Sequence, residues 1–221
     1  MCGRFVRVSS VDRFAELLGA AGHPQVKVSY NIAPGSQLLV ARTASNGIRE
    51  LTTLKWGLVP AWSDEPKTPY STINARAETV ASKPCFRSAF RHRRCLIAAD
   101  GFYEWHPRPD GHKQPYFIQL HPEEPFAFAG LWEHWERGDR VLETCSIIVT
   151  AANALMKPIH ERMPVILPPE SYETWMNPAI GDAALLQALL TPYPAQGMKK
   201  HPVRTFVNNP RNDGRDLIEP A

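Results

Sequence analysis

Cysteine at position 2, directly after the initiator methionine, is the residue whose placement could do the most unusual chemistry. A small second residue permits methionine removal, which would leave Cys2 with a thiol and an α-amine on adjacent carbons. Such a 1,2-aminothiol condenses with an aldehyde to an imine, and the sulfur then closes a five-membered thiazolidine ring. No cysteine inside a chain can do this. Taken alone, Cys2 also reads as an ordinary small residue at a chain end, so the rest of the sequence must supply a site for it.

Two residues could move protons there. Glu104 stands in Gly101-Phe102-Tyr103-Glu104-Trp105; in a strand it shares a face with Phe102, leaving Tyr103 and Trp105 on the other. A carboxylate so placed either reaches a rim and pairs with an arginine, or is partly buried with a raised pKa. The second case makes a general acid or base. His160 lies in Lys157-Pro158-Ile159-His160-Glu161-Arg162-Met163-Pro164, where prolines hold the backbone. An imidazole on such rigid flanks is the best proton shuttle among the eight histidines, although a lone histidine is more often structural or exposed.

Other groups could bind rather than react. Ser71-Thr72-Ile73-Asn74-Ala75-Arg76-Ala77-Glu78-Thr79 alternates polar and small residues as a strand does, projecting Asn74, Arg76 and Glu78 from one face. A solvated strand face explains the same pattern. Arg4, Arg76, Arg87, Arg91, Arg93, Arg94 and Arg162 supply cations, and Trp56 and Trp62 supply flat faces. Guanidinium forks on phosphates with aromatics under bases are the ingredients of a single-strand groove. Scattered arginines are also plain surface.

These side chains must be held in place. Ser9-Ser10 can cap a helix over 11–20, with Val11, Phe14, Leu17 and Leu18 on one face and Gly19 or Gly22 closing it. Tyr30-Asn31-Ile32-Ala33-Pro34-Gly35 reads as a loop. Strands are predicted over 37–42 and 48–56, joined at Ser45-Asn46-Gly47. The proline-punctuated stretch 57–69 is a loop carrying Trp62. Further strands fall over 73–78, 94–99, 101–105, 115–120, 126–132, 144–150, 165–167 and 203–207, with 115–120 and 126–132 forming a hairpin-like pair. Short helices fall over 86–90, 151–157, 168–176 and 183–190. The expectation is an α+β fold: a single domain over 1–221 with a bent antiparallel β-barrel-like core and short peripheral helices.

Composition sets outer bounds. The 221 residues are 43% hydrophobic and 21% charged, enough to bury a sizeable core and unlike a disordered or fibrous chain. The 21 prolines favour turns and strands over long helices. A net charge of +3 permits a polyanionic partner without demanding one. The cysteines at 2, 85, 95 and 145 form no C-x-x-C pair, which excludes a zinc ribbon or a thioredoxin-type motif. With no secretory signal and no long apolar span, the expected setting is reducing cytoplasm with free thiols. Cys95 and Cys145 sit in apolar runs and are expected as core residues.

Several stretches acquire weight together. Met1-Cys2-Gly3-Arg4-Phe5, Tyr30-Asn31-Ile32-Ala33-Pro34-Gly35, Lys55-Trp56-Gly57-Leu58-Val59-Pro60, Ile73-Asn74-Ala75-Arg76-Ala77-Glu78-Thr79, Gly101-Phe102-Tyr103-Glu104-Trp105 and Ile159-His160-Glu161-Arg162-Met163-Pro164 occur in order. In this the sequence resembles the SRAP family (SOS response-associated peptidase domain) over nearly its whole length. The resemblance implies a suicide sensor of abasic sites in single-stranded DNA, built as one α+β domain with a positively charged DNA channel. Cys2, freed of Met1, would attack the ring-opened deoxyribose aldehyde and form a stable thiazolidine cross-link. Cys2, Asn74, Glu104 and His160 match active-site positions: Glu104 takes up the amine proton, His160 protonates the sugar ring oxygen, and Asn74 bonds the sugar or phosphate beside the lesion. Arg4, Trp62, Arg76 and Arg162 match positions that hold DNA. The resemblance further implies AP-lyase side chemistry, self-removal of Met1, no cofactor or metal, and a monomer in the cytoplasm that joins the nucleoid when bound. Members often have a second aromatic beside the one at Trp62; this chain has Ser63 there, which weakens the expected wedge.

Two other readings compete. A cysteine peptidase would use Cys2 as thiolate and His160 as base, but gains nothing from a nucleophile at the terminus, and no oxyanion-hole motif is evident. A non-covalent single-strand binding module would leave Cys2 incidental.

Overall fold

Strands apolar on both faces dominate the chain, and such strands must be covered on both sides. Leu38 and Val40 enter one apolar cluster while Leu39 and Ala41 enter another, and Ile147 and Val149 likewise face away from Ile148. This is the period-two geometry of a pleated strand between two cores.

The computed structural model describes residues 2–44, 46–66 and 71–221. Its strands begin with β1 (Phe5–Arg7), β2 (Ser29–Ile32), β3 (Gln37–Thr43), β4 (Arg49–Trp56), β5 (Asn74–Arg76), β6 (Arg94–Ala99) and β7 (Gly101–Pro107). Then follow β8 (Lys113–Leu120), β9 (Phe126–Arg137), β10 (Arg140–Ala151), β11 (Arg162–Pro164), β12 (Ile166–Leu167) and β13 (Met198–Pro202). The helices α1 (Val11–Leu18), α2 (Arg87–His92), α3 (Tyr172–Met176) and α4 (Ala183–Ala188) are short.

Five strands close into a barrel. β4 pairs β3, β3 pairs β6, β6 pairs β9 and β9 pairs β10, all antiparallel, and β10 returns to β4 in parallel with Thr144 opposite Lys55. Closure removes the exposed edges of an open sheet. A second sheet runs β13-β8-β7-β1-β2. Aromatic packing joins the two: Phe5 of β1 stands edge-on to Trp56 and Phe128, with ring centroids 5.4 and 5.6 Å away. Gly101 opens β7 where a Cβ would meet the Phe117 ring at 2.4 Å, so only glycine lets β7 and β8 approach there. Helix α1 is capped as expected: Ser10 accepts from the Arg13 N–H, Gly19 ends it in the left-handed region, and Phe14 and Leu18 are buried.

Local pattern located most strands but not all of their partners. β8 and β9 are not a hairpin: β8 lies between β7 and β13, while β9 belongs to the barrel. Residues 203–207 are not a strand. Buried Val203 and Val207 mimic one, but the chain forms a 3-10 turn over Thr205–Asn208, and the late strand is β13. The extended stretch at 73–78 is confined to β5: the Ala77 N–H makes the last ladder bond, to Val149 O at 2.9 Å, and the chain then turns, with the Thr79 N–H donating to Arg76 O at 3.1 Å. Residues 151–157 make no helix; Ala151 ends β10 and a turn follows, closed by Lys157 N to Asn153 O at 2.9 Å. Met1, Ser45 of the hairpin turn and Pro69 of the proline-punctuated loop lie outside the described residues. Among the described residues no helix is long and apolar enough to cross a membrane.

Candidate functional site

Strand register delivers the amino end to Glu104. β1 and β7 pair antiparallel with Phe5 opposite Phe102, and the Tyr103 N–H donates to Arg4 O at 3.0 Å. Along the same diagonal, Gly3 falls opposite Glu104. Cys2 itself is fully buried, and its carbonyl accepts from Asn74 Nδ2 at 2.9 Å. Asn74 can reach because β5 lies parallel to β10, setting Asn74 beside Ile147 and Arg76 beside Val149. The barrel thus fixes Asn74, and the second sheet fixes Glu104.

Electrostatics follow from this burial. Loss of solvent pushes the Cys2 thiol far above its ordinary range, and the nearby Glu104 carboxylate adds to the shift. Glu104 is 2% exposed. Burial raises its carboxyl, while the amino terminus and the nearby His160 pull it back down. Of the two sequence alternatives, Glu104 is therefore the buried carboxyl and not the rim one. His160 accepts the Arg162 N–H on Nδ1 at 2.9 Å, so the neutral ring carries its proton on Nε2.

Two clefts carry the neighbours of Cys2, which itself lines neither. One, of about 440 Å³, is lined by Arg4, Glu104, Trp105, Lys113, His160 and Asn208. The other, also about 440 Å³, is lined by Ser71, Asn74, Arg76, Lys83, Pro84, Cys85 and Phe86. Trp62 is 58% exposed and its Nε1 donates to Pro84 O at 3.4 Å, which places it at the rim of the second cleft. A larger and more apolar cavity, about 480 Å³ among Leu17, Leu120, Phe126, Ile166, Tyr172 and Tyr193, shares no lining residue with either.

The predicted cations separate into different roles. Arg4 lines the first cleft but is already engaged, donating to Asn31 Oδ1 at 2.7 Å and to the carbonyls of Val207 and Asn208 at 2.8 and 3.2 Å. Arg76 is exposed on the second cleft. Arg162 pairs with Glu78, so that carboxylate serves an ion pair and not a strand face. Arg87 and Arg91 are exposed on α2. Arg94 is a correction: it is 3% exposed and belongs to the core, donating to five backbone carbonyls. Trp56 is another, since it is buried with Nε1 donating to Ile73 O at 2.8 Å and offers no stacking face. Cys95 and Cys145 are buried free thiols, as expected.

Sequence reasoning missed three contributors. Asn31 is buried, accepts from Arg4, and donates through Nδ2 to Val207 O, Asn209 O and Asn212 O at 3.3, 3.1 and 2.8 Å. It ties the chain's first residues to the loop that walls the first cleft. Asn208 of that loop accepts from Trp105 Nε1 at 2.7 Å, and Lys113 adds a cation. The Tyr30-Asn31 motif carried the signal for Asn31; nothing local marked Asn208 or Lys113.

Fold and site define a β-barrel protein in which a buried cysteine adjoins a buried carboxyl of one cleft, which a histidine also lines, and an asparagine of another. The chain belongs to the SRAP family: the family model described as SOS response associated peptidase (SRAP) matches residues 1–210. It is 43% identical over 228 residues to the abasic site processing protein YoqW of Bacillus subtilis (strain 168), covering 99% of each chain. It is 34% identical over 229 residues to the abasic site processing protein YedK of Escherichia coli (strain K12), covering 100% of each. A solved structure of a Bacteroides thetaiotaomicron protein superimposes with a TM-score of 0.87 at 26% identity, covering 100% of both chains.

Proposed function

We propose that the chain, acting as one domain and as a monomer, captures abasic sites in single-stranded DNA by forming a thiazolidine between Cys2 and the lesion aldehyde. The observation that carries this reading is the meeting of Cys2 with Asn74 and Glu104 between two clefts, one bearing Arg4 and Lys113, the other Arg76 and Lys83. The names of the relatives, abasic site processing proteins, support the abasic site as the lesion recognised. An abasic nucleotide has no base to unstack, which lowers the cost of drawing its sugar into the site.

The chemistry balances in three steps. After Met1 removal the Cys2 amine, with an unperturbed pKa of about 7.7–8.0, is partly neutral at physiological pH. His160 gives a proton to the sugar ring oxygen as the hemiacetal opens, and the amine adds to C1′. Loss of one water, assisted by proton transfer through Glu104, leaves an imine. The thiol then adds across it, the sulfur bonding to C1′ and its proton passing to nitrogen, and the ring closes. The open imine also acidifies the C2′ proton, so elimination of the 3′ phosphate (AP-lyase chemistry) competes until closure. Asn74 holds the backbone of Cys2 and faces the sugar–phosphate; Arg76 and Arg162 hold phosphates; Trp62 stacks a neighbouring base.

A peptidase thiolate fits less well. Such an enzyme needs the thiol lowered, whereas burial and Glu104 both raise Cys2. Blocking the α-amine separates the readings. Acetylated protein is expected to lose cross-linking, whereas a peptidase would largely keep hydrolysis and a binding module would keep all of its function. Cross-linking at the unblocked rate would contradict the proposal.

Glu104→Gln provides a paired readout. The amide keeps the shape but cannot accept a proton, and the cross-linking rate is expected to fall by about 10²-fold. Stability should move the other way. Burial raises the Glu104 carboxyl, so the folded state holds that proton more tightly than the unfolded chain. Stability therefore declines as pH rises from the unfolded carboxylate pKa to the folded one, and the penalty stands in full above it. The variant should have a higher Tm at neutral pH and a flatter profile through that acidic window. Gel time courses and melts at several pH values check both.

A further inference from the structure

The Trp132-Glu133-His134-Trp135 stretch plays no part in the chemistry above, yet it lies under the loop that carries Trp62. Trp135 Nε1 donates to Ser63 O at 2.7 Å, and the Val59 N–H donates to Thr144 Oγ1 at 2.9 Å. Glu133 accepts from Arg93 Nη2 on Oε1 at 2.8 Å, and the Ala61 N–H favours its charged form against a burial that raises it. Glu133 and Thr144 are directly opposite in the β9–β10 ladder and Trp135 is two residues along, so all three share one face. All three are buried. Trp135 and Thr144 each direct a polar group at the backbone of one loop, at Ser63 and Val59, with the carboxyl of Glu133 between them. The loop also closes on itself, through Ser63 N to Pro60 O at 2.9 Å and Ser63 Oγ to Glu65 O at 2.8 Å.

A surface loop could be seated by apolar contact alone. Buried donors and acceptors are costly when unpartnered, and what they add is orientation. The partner strand extends that orientation to the reacting groups, because β10 also sets the register of Asn74, Arg76 and Arg162. Thr144 lies three residues before the partner of Asn74, roughly 10 Å along the strand.

We propose that Trp135 and Thr144 are positioning residues that seat residues 59–63, so that Trp62 is preset as a stacking face at a fixed distance from Asn74 before DNA arrives. The inference rests on the reading of Trp62 as a base-stacking residue. It also gives Ser63 a role: with no second ring beside Trp62, the carbonyl and hydroxyl of Ser63 hold the single ring in place. Presetting lowers the ordering cost of binding.

The test is a double-mutant cycle. Trp135→Phe keeps a ring and removes the N–H, while Thr144→Val keeps the shape and removes the acceptor. Each is made in the Trp62 and Trp62→Ala backgrounds. The probe is a single-stranded oligonucleotide with a tetrahydrofuran abasic analogue and 2-aminopurine beside it, read by affinity and by quenching. Trp62→Ala is expected to weaken binding roughly tenfold. Each seat variant should weaken it about three- to tenfold and reduce quenching, with no further loss in the Trp62→Ala background. A general folding defect would lower Tm in both backgrounds without coupling to Trp62. Equal fold-losses in both backgrounds, or no loss where Trp62→Ala shows one, would overturn the seat. Wild-type affinity and quenching in Trp62→Ala would overturn the stacking reading first, and the seat with it.

Discussion

The Cys2→Ala protein is expected to lose every denaturation-resistant complex with abasic single-stranded DNA, and to cut more of that DNA than the wild type does. Alanine is small enough for Met1 removal, so the amine remains free and still forms the imine. What is missing is the sulfur that closes the ring. The imine then either hydrolyses, releasing intact DNA, or loses the 3′ phosphate and leaves a nick. No other residue can substitute. Cys85, Cys95 and Cys145 are buried, and none has an α-amine beside it. Stable capture should fall by more than about 10²-fold, since the substitution removes the bond-forming atom and not merely a proton carrier. Denaturing gels report both the shifted complex and the incised strand. Borohydride should still trap the imine, which shows that the site remains folded. A heat-stable complex of wild-type yield without reduction would contradict the assignment.

The second large effect is on folding. Arg94→Ala should destabilise the protein by about 3–5 kcal/mol, a loss of roughly 10 °C or more in Tm for a chain of this size. Arg94 donates to Trp175 O and Phe90 O at 2.7 and 2.9 Å, to Arg91 O at 2.5 Å, and to Asn177 O and Ile180 O at 2.6 and 3.0 Å. Four of these carbonyls come from the ends of α2 and α3, where helices leave acceptors unpaired, and Ile180 O lies beyond α3. Burial lowers the guanidinium to about 10, which still leaves it charged at neutral pH. Its planar fork reaches several acceptors at once, whereas a lysine ammonium is a single point. Arg94→Lys should therefore recover only a small part of the loss. Cross-linking per folded molecule should be unchanged at low temperature, because none of these carbonyls lines the clefts. Thermal melts beside cross-linking yields at 10 °C separate the two effects.

Arg94 also shows where sequence reading ran out. In Arg91-His92-Arg93-Arg94 the four residues look alike, yet Arg91 is exposed, Arg93 binds the buried Glu133, and Arg94 is a core residue. Local charge cannot reveal which residue points inward, because β6 begins at Arg94 and the turn from α2 sets its direction. Trp56 and Trp62 differ for a comparable reason. Trp56 shares strand parity with Leu54, which alternation could have revealed, whereas Trp62 lies in a loop with no period. The caps of α1, the strands of the barrel wall and the buried run in β10 were legible because their signals are local. Barrel closure through β9, β10 and β4 was not, and neither was the separation of β8 from β9, since strand partners lie far apart in sequence. Cys2, Glu104 and Asn74 could each be named, but their meeting depends on two different sheets. Of the residues that line the first cleft, Lys113 and Asn208 were distinguished by no motif.

Intact-mass spectrometry of the purified protein, before and after mixing with an abasic oligonucleotide, tests the central claim most directly. The account predicts a starting mass lacking Met1 and a product equal to that protein plus the oligonucleotide less one water, stable without a reducing agent. A protein that keeps Met1, or one lacking it that yields no such adduct, would contradict it.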